Sequence, residues 1–371
     1  MKILFYTPVR LSAGGGCERW HCDITNSLKN QFGFEIEIIS SNLGQNRWSR
    51  PYLKQQLQSI KYLQLNFIVF FNILIPTPSI FFSLLREIRE ADAVHFIHGF
   101  LGQDILMLIL KFITKKKIVV GHHAPIFHSS KIHNFYMKYV SRYLLSFFDF
   151  QQTLNSQDKT FLEKEWGIKN VFFIPSGIRI EKFLKINSIK HSNLIFISVG
   201  RYAIQKGFDL LLKAIEKFNN RFFANSAEFW FVGDGELKPV IQSYSKKYKN
   251  IKDLGYIKYE AMPKIYARSD VYLLPSREEP FGLVLIESWA SGLPTLTTKT
   301  EGPKDMLKIN KNGWFIDKIS SEEIFKNMST LYKQFLADKN CFRKLAKNCR
   351  ETATLFSIDT TAKRMTDAFF S

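Results

Sequence analysis

Two carboxylates and two cations fall where a ligand carrying both phosphate and sugar could be held. In the run Arg277-Glu278-Glu279-Pro280-Phe281-Gly282-Leu283-Val284-Leu285-Ile286-Glu287, Glu279 sits in a loop, Gly282 opens a helix and Glu287 lies on the helix's second turn. Leu283, Ile286 and Ala290 make the face around Glu287 apolar, so a charge there needs a partner. A carboxylate accepts two hydrogen bonds from vicinal hydroxyls, and a pair flanking a helix start suits such a ligand. The plainer alternative is a capping acid at Glu279 and an internal ion pair at Glu287. Arg201, Lys206 and Gly207 follow the apolar run NLIFISVG and lead into another helix. They read as a diphosphate clamp beside a helix start, or as two solvated surface cations. Near the N-terminus, Gly14-Gly15-Gly16-Cys17-Glu18 joins a strand to a helix and offers free amides to an anion, although such turns are also purely structural. It is not the dinucleotide fingerprint. Cys17, His21 and Cys22 have the spacing of half a metal site, without a second pair of ligands.

The elements that must position these residues alternate along the chain. KILFYTP, EIEIISS, AVHFIH, KIVVGHH, FQQTLN and VFFIPSG read as strands, and the helix from Gly16 carries Cys17, Trp20, Ile24 and Leu28 at three- and four-residue steps. After a polar stretch over 185–193 the rhythm restarts with the strands NLIFISVG, EFWFVGDG, VYLLPS and PTLTT, and with the helices FDLLLKAIEKF and LVLIESWAS. Strands alternating with helices imply parallel sheets covered on both faces, here as two doubly wound domains. Ligands of such sheets bind beyond the carboxyl ends of the strands, where the residues above fall.

Composition bounds the remaining choices. The 371 residues suffice for two domains, and 46% apolar with 23% charged residues excludes a disordered or fibrous chain. Lys and Arg number 52 against 33 Asp and Glu, a net charge of +19 that calls for nucleic acid, an anionic membrane face or phosphorylated substrates as partner. No zinc-finger spacing, recognition helix or aromatic RNA-binding signature supports nucleic acid. Four cysteines make no disulfide framework, and the N-terminus reads as a first strand rather than a signal peptide, so a cytoplasmic protein is expected. The uncharged run from Tyr62 to Leu85 is long enough to span a membrane, but Gln64, Asn66, Asn72 and Pro76-Thr77-Pro78 break it into pieces that suit a core or an interface. With the basic cluster from Lys111 to Lys117, the stretch from Leu63 to Leu85 predicts attachment to an anionic membrane without spanning it. The alternative is that Phe67 to Ile75 simply fills the core.

In its E-x-F-G-x-x-x-x-E form, the segment from Glu279 to Glu287 resembles the carboxylate motif of retaining glycosyltransferases with the GT-B fold (glycosyl transferases group 1, family 4 type). Further motifs follow in that family's order. Gly15-Gly16-Cys17-Glu18 resembles G-G-x-E, Val94-His95-Phe96-Ile97-His98 resembles D-V-V-H-x-H, and Pro175-Ser176-Gly177-Ile178 resembles P-N-G-I with Ser for Asn. Gly200-Arg201 through Lys206-Gly207 is similar to the family's G-R…K-G, and Val232-Gly233-Asp234-Gly235 to its V-G-x-G.

The resemblance implies an α/β chain of GT-B architecture, two doubly wound Rossmann-like domains facing a central cleft. Residues 1–184 would bind acceptor, 185–350 nucleotide sugar, and a helix in 351–371 would pack back on the first domain. It implies sugar transfer with retention from a nucleotide-diphosphate sugar to a hydroxyl of a lipid-linked or cell-envelope glycan, with no cofactor and no metal. Arg201, Lys206 and the amides of Gly15, Gly16, Leu283 and Val284 would stabilise the leaving diphosphate. Glu279, beside Phe281 and Gly282, would orient the transferred sugar, and Glu287 would hold the ribose diol. Tyr256 and Ile257 fall where the family's base-binding loop lies. His123 matches the histidine near the reacting carbon, with His122 one residue away, while His95 and His98 read as structural. The competing readings are a nucleotide-sugar 2-epimerase, a phosphorylase and a non-enzymatic polyanion binder.

Overall fold

The computed structural model describes all residues except 71–72, 128–129, 187–188, 190–191, 223–225 and 371. The chain divides into two units, residues 1–177 with 358–371, and residues 178–357.

The first unit is a parallel sheet of β1 (Lys2–Thr7), β2 (Glu35–Ser40), β3 (Lys61–Gln64), β6 (Ala93–His98), β7 (Lys117–His122), β8 (Phe150–Thr153) and β9 (Val171–Phe173). A short antiparallel pair, β4 (Ile68–Phe70) and β5 (Ile73–Ile75), stands apart from it. The strand order is β3-β2-β1-β6-β7-β8-β9, so the winding reverses between β1 and β6. Successive side chains of a strand point to opposite faces, and the core divides accordingly. Leu4, Tyr6, Val94, Phe96, Ile118 and Val120 pack under the helices Pro78–Glu90 and Gln103–Thr114. Ile3, Phe5, Ala93, Ile97 and Val119 pack under the helix Gly16–Phe32 on the other side.

The uncharged run from Tyr62 resolves into β3, the small β4–β5 pair and a helix capped at Thr77. Leu65, Phe67, Leu74, Ile80, Leu84 and Leu85 are buried in the first core, while Ile68, Ile75 and Phe82 are exposed, so the stretch alternates between interior and surface; Phe71 and Asn72 lie outside the described residues. Among the described residues no helix is long and apolar enough to cross a membrane.

In the second unit β10 (Leu194–Val199), β11 (Ala227–Val232), β12 (Ile251–Asp253), β13 (Val271–Leu274), β14 (Thr295–Thr298) and β15 (Gly313–Ile316) form a parallel sheet in the order β12-β11-β10-β13-β14-β15. Its winding reverses between β10 and β13. Phe196 and Phe229 stack at 5.4 Å in its core.

The unit boundaries differ from those read at 184/185 and 350/351. Phe183, on the short helix Glu181–Leu184, is buried with its ring 5.4 Å from Tyr259 and 6.0 Å from Tyr266. That apolar anchor draws residues 178–184 into the second unit, and the polar stretch at 185–193 is a later loop, of which 187, 188, 190 and 191 lie outside the described residues. At the other end the helix Ala346–Thr354 belongs to the second unit, where it packs on the helix Leu283–Ala290. Only 358–371 joins the first unit. There Asp359 accepts from Ser27 (2.7 Å) and Gln31 (2.8 Å), and Thr361 donates to the Pro175 carbonyl (3.0 Å).

Candidate active site

The loops after β10 and β13 meet where the second sheet reverses its winding, the place at which doubly wound sheets bind ligands. The meeting depends on glycine. Gly207, at φ +72°, lies so close to the Pro275 carbonyl that a Cβ would come within 2.0 Å of its oxygen. The Arg277 amide donates to the Gln205 carbonyl at 2.8 Å, and the Arg277 guanidinium grips both oxygens of Asp209 at 2.7 and 2.8 Å. The guanidinium's hydrogen bonds hold the Asp209 carboxyl below its ordinary range. Nothing in the sequence pattern marked Arg277 or Asp209; their pairing arises only when the two loops converge. A Cβ on Gly233 would lie 1.9 Å from the Gly200 carbonyl oxygen, which is the physical role of the glycine in Val232-Gly233-Asp234-Gly235.

The expected cation and carboxylate sit on these two loops. Lys206 Nζ donates to Glu279 Oε2 at 2.6 Å, and the Ser276 hydroxyl reaches the same oxygen at 3.4 Å. Glu279 is buried, and its carbonyl accepts from the Gly302 amide at 3.0 Å. An ammonium carries three donors, so Lys206 can serve Glu279 and a phosphate together. Arg201 is exposed, with its guanidinium 3.3 Å from Gln205 Oε1, while Gln205 donates to Glu278 at 3.1 Å.

Gly282, at φ +94°, opens the helix Leu283–Ala290, whose first amides belong to Leu283 and Val284. Phe281 is buried beside them. Glu287, on the next turn, is buried and accepts from the Tyr266 hydroxyl at 3.0 Å. Tyr272 donates to the Val199 carbonyl at 3.0 Å, and its hydroxyl is pushed well above the ordinary tyrosine range by burial, then by the carboxylates of Glu279 and Glu287. Both carboxylates therefore act on one buried hydroxyl at the strand ends. The Tyr266 hydroxyl thus supplies one of the polar partners that a buried carboxylate at this position needs. Tyr256 and Ile257 follow Gly255 beyond the edge strand β12, two strands from β10, with Tyr256 exposed and Ile257 half-buried. The Gly255 carbonyl just before them accepts from the Gly233 amide at 2.9 Å, which ties this loop to the one after β11.

In the first unit, Gly14 adopts φ +69°, and a Cβ there would lie 2.4 Å from the Trp48 indole nitrogen. Gly15 caps the helix that Gly16 begins. The Glu18 carboxyl folds back onto the amides of Gly15 and Glu18, so this helix start carries an anion of its own. Burial nevertheless holds the Glu18 carboxyl above its usual range.

His123 follows β7, with its ring 4.3 Å from that of Trp20 and 6.2 Å from that of His95. Its Nε2 is buried and has no hydrogen-bond partner among the described residues, as is true of Trp20 Nε1, His21 Nε2 and His95 Nδ1. Burial holds His123 well below the ordinary histidine range, and the neighbouring imidazoles reinforce it, so the ring is neutral at pH 7. His122, on the opposite face of β7, bonds Gln151 at 2.9 Å and is lowered by burial to about 3. The same-strand pair separates similarly: His95 bonds Gln152 at 2.8 Å, and His98 bonds Ser141 at 3.0 Å. His21 Nδ1 lies 2.8 Å from the Cys17 carbonyl oxygen, and its Nδ1 contact with Cys17 Sγ is long, at 3.8 Å.

These two doubly wound units and their strand-end loops define a GT-B fold. Over 100% of both chains the fold superposes on Anabaena Alr3699/HepE, solved in complex with UDP and glucose, with a TM-score of 0.76 at 18% identity. Residues 179–355 match the family model of glycosyl transferases group 1. The chain is 29% identical over 165 residues to the lipopolysaccharide core biosynthesis glycosyltransferase LpsE of Rhizobium meliloti, a stretch covering 43% of this chain and 44% of LpsE. It is 27% identical over 213 residues to the UDP-Gal:alpha-D-GlcNAc-diphosphoundecaprenol alpha-1,3-galactosyltransferase of Escherichia coli, covering 53% of each. The matched stretch thus spans about half the length of these two relatives. The matching family and both relatives are glycosyltransferases, and the family-level resemblance seen in the sequence is supported.

Proposed function

We propose that the chain transfers a sugar, with retention and without a metal, from a nucleotide-diphosphate sugar to a hydroxyl of a lipid-linked or cell-envelope glycan, working in the cytoplasm at the inner face of the membrane. The observation that carries this reading is the Lys206–Glu279 pair at the switch between β10 and β13, on the loop that leads into the helix bearing Glu287. As the sugar–phosphate bond breaks, charge develops on the diphosphate and the sugar becomes oxocarbenium-like. Lys206, Arg201 and the first amides of the helix Leu283–Ala290 would receive the charge on the phosphates. Their donors are in place before reaction, which limits the reorganisation the transition state demands. Glu279, fixed by Lys206 and Ser276, would accept from the sugar's hydroxyls, and Glu287, fixed by Tyr266, from the ribose. His123, neutral and half-buried in its own unit, would offer a hydrogen bond to substrate without adding charge. The acceptor class is supported by the relatives that act in lipopolysaccharide core biosynthesis and on a diphosphoundecaprenol-linked sugar.

The test is release of sugar from a panel of nucleotide sugars by the purified chain, followed by Glu279→Gln. The variant should lose turnover while melting as the parent does, whereas Glu278→Gln, which gives up only the Gln205 contact, should be mild. Turnover of Glu279→Gln within about threefold of the parent, equivalent to under 1 kcal/mol, would remove Glu279 from the chemistry. An epimerised nucleotide sugar as product would replace transfer by epimerisation.

A further inference from the structure

We propose that the outer faces of two adjacent helices in the first unit form a docking surface for an anionic lipid bilayer. The inference deepens the membrane-side placement proposed above by naming the surface that makes the contact, and it moves that contact away from the uncharged run beginning at Tyr62.

A helix that covers a sheet ordinarily turns a polar stripe to water. The helix Gln103–Thr114 does not. Leu106, Met107 and Leu110 enter the core, yet the opposite side shows Ile105, Ile109, Phe112 and Ile113, spaced by four, three and one residues along one exposed face. Its neighbour runs as Lys131–Tyr136, a π-turn over Met137–Ser141 and Arg142–Leu145. There Met137 and Leu145 are buried while Ile132 (74% exposed), Phe135 (65%), Tyr139 and Tyr143 face outward. Phe112 (62% exposed) and Phe147 bring the two faces together, with ring centroids 6.1 Å apart. Scattered apolar residues on a surface need no explanation, but two adjoining helices with continuous apolar outer faces do.

Charge identifies the occupant. Between Asp104 and Asp149 the chain contains no acidic residue; Lys111 is paired with Asp149, while Lys115, Lys116, Lys131, Lys138 and Arg142 fall within that stretch. Asp104 itself is buried, where it accepts from Tyr136. Lys138 and Arg142 lie over the rings of Tyr139 and Tyr143 at 5.3 and 4.9 Å, so cations and amphipathic aromatics alternate along the helix. Apolar side chains flanked by cations and snorkelling aromatics match the boundary between anionic headgroups and acyl chains. A second copy of this chain fits less well, because a two-fold pairing would set this lysine- and arginine-rich face against itself.

The experiment is co-sedimentation of the full chain with vesicles of equal parts phosphatidylglycerol and phosphatidylcholine, and with phosphatidylcholine alone. The parent should bind the anionic vesicles, ignore the neutral ones and release with added salt. Phe112→Ser combined with Phe135→Ser should weaken binding roughly tenfold or more. Lys115→Glu combined with Lys138→Glu should do at least as much, since each cation near the leaflet is worth about fivefold. Leu336→Ser, which removes an exposed leucine from the second unit, should leave binding unchanged. Thermal melts verify that every variant is folded. Equal binding to both vesicle types, binding indifferent to these substitutions, or a parent dimer that Phe112→Ser with Phe135→Ser dissociates would each overturn the proposal. Release of sugar from nucleotide sugars, assayed without vesicles, should be the same in all variants. Its absence from the parent would count against the proposed transfer and leave the vesicle result standing.

Discussion

Replacing Lys206 and Arg201 separately by alanine tests the diphosphate reading, because the structure gives the two cations different second roles. Lys206 Nζ lies 2.6 Å from Glu279 Oε2, and the side chains are 22% and 7% exposed. Lys206→Ala therefore leaves a buried carboxylate with the Ser276 hydroxyl at 3.4 Å as its remaining side-chain partner in this cluster. A buried group deprived of a charged partner costs about 1–3 kcal/mol, which thermal or denaturant melts resolve. Among the described residues the Arg201 guanidinium bonds Gln205, at 3.3 Å and in solvent, so Arg201→Ala should change stability by no more than about 0.5 kcal/mol. Toward ligand the two should behave alike. Each loses a charge-assisted hydrogen bond to phosphate worth about 1.5–3 kcal/mol, roughly ten- to a hundredfold in the Kd for a nucleoside diphosphate. Binding of the nucleoside alone should scarcely change. Titration calorimetry on both ligands with both variants reads this directly. Equal losses for nucleoside and nucleoside diphosphate would refute the clamp. A destabilisation by Arg201→Ala as large as that by Lys206→Ala would refute the division of roles.

Gly207→Ala should destabilise the second unit by more than about 1 kcal/mol and depress turnover with it, since its Cβ would meet the Pro275 carbonyl oxygen at 2.0 Å in a left-handed backbone; an unchanged melting temperature would contradict the close approach. Lowering pH should destabilise the first unit, because burial holds His21 at about 4 and His95 and His122 at about 3, against 6.5 when unfolded. The unfolded chain then binds the extra protons, so stability is fully present above pH 6.5 and lost toward pH 3–4, by up to about 1.4 kcal/mol per pH unit for each histidine; a flat stability profile from pH 7 to pH 5 would be inconsistent with neutral buried rings. Turnover should survive EDTA, as protein cations are assigned the leaving diphosphate, and loss restored by added divalent ion would reverse that assignment.

Local signals carried the strands, the helix starts and the order of the motifs. β-strands buried on both faces must be apolar almost throughout, so KILFYTP and NLIFISVG were legible one segment at a time, and Gly207 and Gly282 were legible as helix openings, though not the close approach of Gly207 to Pro275. The alternation of strand and helix likewise implied two parallel sheets. Glu279 and Lys206 could be named from spacing, but not their 2.6 Å bond to each other.

What depended on tertiary structure were pairings between distant segments. The clasp of Arg277 on Asp209 joins the loop after β13 to the first turn of the helix Phe208–Phe222, and no short-range pattern encodes it. Phe183 moved the boundary between units because an apolar ring counts for more than the polar stretch that follows it. The uncharged run from Tyr62 and the helix Gln103–Thr114 are both rich in apolar residues, yet the first breaks into short elements that alternate between core and surface and the second keeps a continuous apolar face in water. Hydrophobicity states that a side chain gains by leaving water; only the packing of the whole unit decides which side chains find room to do so.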